Sequence, residues 1–130
     1  MTIGSMSQNI GIFVSENQII SLKAGNSFTT CEPKERLDSI KPSVISERLC
    51  SIGNTYDVAD ENGQIQTRAK LKDAFVMTFG ALDSRFVDGM GFGGDIRKCK
   101  SSYEDFWNAN FPKEKLTDAT ELFVTIWEPV

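Results

Sequence analysis

The sequence predicts an α+β domain, on three observations. Residues 10–14, 65–79 and 121–127 read as strands with a period of two, which over 65–72 sets an apolar face against a cationic one. Between them stand two helix starts at capping-box spacing, Ser15 to Gln18 and Ser101 to Glu104. With 130 residues, 40% hydrophobic and 25% charged, the chain suffices for one core without disulfides or metal.

Residues 1–9 are polar and are read as a flexible N-terminal segment ahead of a single domain over 10–130. Ile10, Ile12 and Val14 mark a short strand. Val14 and Ile19 can staple the helix that follows, which carries Ile19, Ile20 and Leu22 and meets its cap at Gly25. Residues 27–31 are extended, and the proline-bracketed, charged stretch 32–42 reads as a loop with one helical turn at most. Residues 44–50 fit strand or helix equally. Tyr56 to Val58 is a strand, and Asn62-Gly63 turns it into a hairpin. In the return strand Ile65, Thr67, Ala69, Leu71, Phe75, Met77 and Phe79 share one face, and Arg68, Lys70 and Lys72 the other. Asp73 interrupts the apolar row and predicts a bulge there. Leu82, Phe86 and Met90 make a short helix that ends in the glycines at 89–94. A second helix starts at Ser101 with Tyr103, Phe106, Trp107 and Phe111 on one face, and Pro112 stops it. Residues 121–127 close the domain as a strand.

Composition excludes several chemistries. With no histidine, the usual zinc sites, the Ser-His-Asp triad and the Cys-His pair are out of reach. Fourteen Lys and Arg against 18 Asp and Glu give a net charge of −4, so broad attraction to duplex nucleic acid is not expected. Cys31, Cys50 and Cys99 are odd in number and widely spaced, as suits reduced thiols. No apolar run nears the ~20 residues that span a bilayer. The first ten residues lack the basic and apolar regions of a secretory signal. The expectation is a cytoplasmic protein without membrane, metal or cofactor.

Three stretches resemble the ASCH family: IISLKAGNSFTT at 19–30; FGAL at 79–82 through DGMGF at 88–92; and SSYEDFW at 101–107 with LFVTIWE at 122–128. The resemblance implies a small PUA-like β-barrel of about five to six strands with two to three short helices packed against it. Some members of that family are amidohydrolases acting on acetylated cytidine, through the Lys and Thr of a Gly-x-Lys motif and a downstream acid. Here the Lys position falls on Ser27, the Thr on Thr30, the following Arg on Glu32 and the acid on Asp88. Without that lysine the full catalytic set is missing, because a cation that would stabilise developing charge is gone. Were an enzyme retained, Thr30, Asp88 and Lys23 would be its remnants.

Ser27, Thr29 and Thr30 offer hydroxyls to a ligand, although threonine is also simply a good strand residue. Arg68, Lys70 and Lys72 form a cationic face on which an RNA backbone could run. Arg97, Lys98 and Lys100 stand as a second basic group, with Tyr56, Phe123 and Trp127 as stacking platforms. The same cations also discourage edge pairing. Gly89, Gly91 and Gly94 spell GxGxxG but follow a helix, where a phosphate cradle does not belong. Asp57, Asp60 and Glu61 are turn residues before they are cation ligands. The leading reading is a binding module for RNA, a nucleotide or a modified nucleoside, held in a cleft between the first helix and the sheet. The alternatives are a small acidic protein-interaction or inhibitor domain, viral or mobile-element encoded, with a protein partner, and a diverged amidohydrolase.

Overall fold

The computed structural model describes residues 12–13, 16–89 and 92–130. The expected N-terminal segment lies outside the described residues, as do Ser15 of the first capping box and Met90 and Gly91 of the glycine run. The elements are β1 (Ile12–Phe13), α1 (Glu16–Lys23), β2 (Phe28–Pro33), α2 (Lys34–Ile40), α3 (Val44–Leu49), β3 (Thr55–Ala59), β4 (Ile65–Thr78), α4 (Ser84–Gly89), α5 (Ile96–Asn110) and β5 (Glu121–Pro129). The strands form one sheet in the order β1-β3-β4-β5-β2, with β1 parallel and β4 antiparallel to β3. The α+β class is as expected, with five helices among the described residues where two to three were expected.

The chain divides into two compact units. Of the described residues, the first takes those up to Phe28, then Ser46–Ala74 and Thr125–Val130; the second takes Thr29–Ile45 and those within Phe75–Val124. In the first, α1 buries Ile19 and Leu22 and ends at Gly25, whose φ of +86° is the left-handed cap that glycine supplies without strain. The Asn26 amide donates to Ser21 O at 2.8 Å and closes that cap. Ile19, Leu22, Phe28, Tyr56, Val58, Ala69, Leu71 and Trp127 make the core. Tyr56 and Trp127 meet edge to face at 5.3 Å, and the Arg48 guanidinium of α3 lies 4.9 Å from the Tyr56 ring centre. Burying side chains such as Leu71 and Val58 completely contributes about 1.5–3 kcal/mol each.

The hairpin turns as Asn62-Gly63 predicts. Asp60 Oδ1 accepts from the amides of Asn62 and Gln64 at 2.9 and 3.0 Å, and Gly63 takes φ +79°. The pairing of β4 (Ile65–Thr78) with β3 shifts register between Val58 and Ala59. Asp73 Oδ1 accepts from the Ala74 amide at 2.9 Å, so the carboxylate is served locally and the apolar row resumes at Phe75, Met77 and Phe79.

In the second unit α5 begins five residues earlier than Ser101. Asp95 is its cap, accepting from the Lys98 amide at 3.2 Å. Cys99, Tyr103 and Trp107, four apart, form its buried stripe. The Tyr103 hydroxyl donates to Cys31 O at 3.1 Å and Trp107 Nε1 to Glu114 O at 2.8 Å. Stretch 32–42, read as a loop, contains α2. That helix buries no residue, so it carries no apolar period to betray it. Pro33 stands at its N-cap with φ −62°, the value its ring imposes.

Candidate nucleic-acid interface

The cationic row on β4 is built by strand alternation. Ala69 and Leu71 are 0% exposed, which turns Arg68, Lys70 and Lys72 outward to solvent. Alternate positions on a strand stand about 6.6 Å apart. Arg68 Nε is 3.5 Å from Oδ1 of Asp57, its partner across the β3–β4 register, while Lys70 faces Thr55. Among the described residues Lys70 and Lys72 form no ion pair.

One step further along the row, Gln66 ties in a fourth cation. Its Oε1 accepts from Lys23 Nζ at 3.3 Å and its Nε2 donates to Asp60 Oδ2 at 2.9 Å. This Lys23–Gln66–Asp60 chain forms one wall of a cavity of about 430 Å³ between α1 and the hairpin turn, which Ile19, Ile20, Asn62, Glu16 and Glu61 complete. Ile20 is 56% exposed. The Gln64 amide, with help from Gln66 and Asn62, holds the Asp60 carboxyl below the usual carboxylate range.

The other residues named from sequence sit as follows. Ser27 is exposed just before β2, and Thr29 and Thr30 are half-buried within it. Thr29 Oγ1 lies 2.5 Å from where a Cβ on Gly89 would stand, so β2 touches the end of α4 beside the exposed Asp88. Lys23 is engaged by Gln66. Burial pushes the half-buried Cys31 thiol up to about 12, the opposite of a reactive thiolate. The three stacking platforms are corrected: Tyr56, Phe123 and Trp127 are 8%, 3% and 1% exposed and belong to the core. Arg97 and Lys98 are exposed on the first turn of α5, and Lys100 lies 3.8 Å from Asp118 and 4.9 Å from the Phe79 ring centre. Gly93 and Gly94, at φ +65° and +82°, lead from α4 to α5.

A second cavity, of about 590 Å³, lies in the second unit beside α2. Two of its cations are engaged: Lys34 pairs with Asp38 at 2.8 Å, and Arg36 lies 3.7 Å from Glu114 and 4.9 Å from the Phe111 ring centre. Among the described residues no group of three or more acidic or sulfur ligands could hold a metal, and no helix is long and apolar enough to cross a membrane. The sequence reading missed the Lys23–Gln66–Asp60 chain, whose first link spans 43 residues. Its one trace in the sequence is Ile20, an apolar residue set off the buried stripe of α1.

No protein-family model matches this chain, and no curated protein matches it. Two solved structures are similar in fold. One is a protein from Enterococcus faecalis V583 assigned to DUF984, with TM-score 0.62 and 13% identity over 88% of this chain and 67% of that one. The other is an ASCH domain from Lactobacillus crispatus JV V101, with TM-score 0.61 and 10% identity over 94% of this chain and 82% of that one. The fold is ASCH-like.

Proposed function

We propose, with the ASCH-like fold as premise, that this protein is a binding module for single-stranded RNA. The observation that carries the reading is the exposed row Arg68, Lys70 and Lys72, set on a strand whose intervening residues are wholly buried. Among the described residues two of its three cations have no internal partner, so their charge is open to phosphate. The regular alternation of the row suits an extended backbone, and the chain's net charge of −4 disfavours wide electrostatic contact with a duplex.

Fluorescence anisotropy with a short labelled RNA across a salt series tests the reading. Three phosphate contacts predict a log–log salt slope of about −2. Exchanging both lysines (Lys70→Glu with Lys72→Glu) should bring the slope toward zero. Absence of binding at the lowest salt, or equal binding by the variant, would overturn the proposal.

A further inference from the structure

We propose that the cavity between α1 and the β3–β4 turn seats one base of the bound strand and prefers bases with an exocyclic amine, adenine or cytosine, over uracil. This rests on the RNA-binding reading and names what the same site selects. Gln66 is the link, because it continues the row of Lys72, Lys70 and Arg68 and also lines the cavity. A backbone that follows the row reaches Lys23 there and then meets Glu16, Asp60 and Glu61, where phosphate is repelled. The group turned toward the cavity is therefore a base.

The cavity suits one. About 430 Å³ lies within the 300–1,000 Å³ of small-ligand sites, which join an apolar wall to a few placed polar groups. Ile20 gives the apolar wall, and its solvent-facing side chain is what a base plane would cover. Gln66 gives an oriented edge. With its carbonyl held by Lys23 and one N–H held by Asp60, its amide cannot turn over, and one N–H and one lone pair remain for a ligand. Asn62 adds a second amide. Side-chain amides read the N6/N7 edge of adenine, and carboxylates accept from the amine of cytosine. The oxygens of uracil would face the carboxylates of Glu16 and Glu61, and that repulsion is the discriminating element.

The test compares oligo-A, oligo-C and oligo-U of equal length by anisotropy at low salt, alongside methyl NMR of Ile20 with free adenosine, cytidine and uridine. Oligo-A and oligo-C should bind about tenfold more tightly than oligo-U. Gln66→Leu should shrink that preference to about twofold or less. Free adenosine and cytidine should shift the Ile20 methyl signals, and uridine should not. Equal affinity for the three oligomers, with no nucleoside shift, overturns the base seat and leaves the RNA-binding reading standing. Nucleoside shifts without any oligomer binding support the seat and overturn the RNA-binding reading. Silence in both measurements ends both.

Discussion

Four cations of the second unit and two on β4 meet opposite fates. Lys34 and Arg36 are bound to carboxylates, and Arg36 also covers the Phe111 ring. Arg85 forks onto Asp83 at 2.8 Å and lies 3.9 Å from the Phe75 ring centre, and Lys100 lies between Asp118 and Phe79. Among the described residues Lys70 and Lys72 have neither carboxylate nor ring. An internal pair on the surface contributes only about 0–1 kcal/mol. Leaving the two lysines unpaired therefore costs the fold almost nothing, and it keeps their charge available to an outside anion. The contrast separates cations bound within the fold from cations whose charge is turned to solvent.

Four changes break or sharpen that contrast. The largest effect is expected from Lys70→Glu with Lys72→Glu, which should weaken RNA binding about 100-fold, or ~2.7 kcal/mol, by anisotropy. Its thermal melt by circular dichroism should match that of wild type. Arg85→Ala should do the reverse, lowering stability by about 1–2 kcal/mol in urea titrations and leaving RNA affinity alone, because it removes both a fork and a ring contact.

Next comes Asp83→Asn, with an expected loss of about 1 kcal/mol at neutral pH. Arg85 holds the Asp83 carboxyl down to about 2, below its unfolded value of about 3.9. A depressed carboxyl stabilises the fold above the unfolded value and loses that contribution as pH falls through the folded one. The gap between wild type and variant should accordingly close between about pH 4 and pH 2. The smallest effect is Asp57→Asn, which frees Arg68 and should tighten RNA binding about threefold, as a surface pair of under 1 kcal/mol allows.

How much of this the sequence could show depended on whether the signal was local. The β4 alternation, the Asn62-Gly63 turn and the Gly25 cap are written in neighbouring residues and were legible. The start of α5 was not, because Ser101 and Glu104 mimic a capping box inside a helix that Asp95 had already begun. Helix α2 lacked an apolar face, so pattern reading had nothing to detect. The cationic row was visible because a strand places its own charges. The cavity was invisible, because Lys23 and Gln66 meet only once α1 folds onto the hairpin. Tyr56, Phe123 and Trp127 looked like platforms because alternation alone does not show that both faces of β5 are covered from Leu122 to Thr125.

The placement of the two tryptophans has an optical consequence. Trp127 belongs to the first unit and Trp107 to the second, at 1% and 3% exposure. Each indole is shielded from water in the native chain, so emission should sit toward the blue and move red as its own surroundings open. Trp107→Phe and Trp127→Phe would each leave a single emitter, and superimposing their denaturation curves would reveal whether the halves of this molecule melt together or in turn.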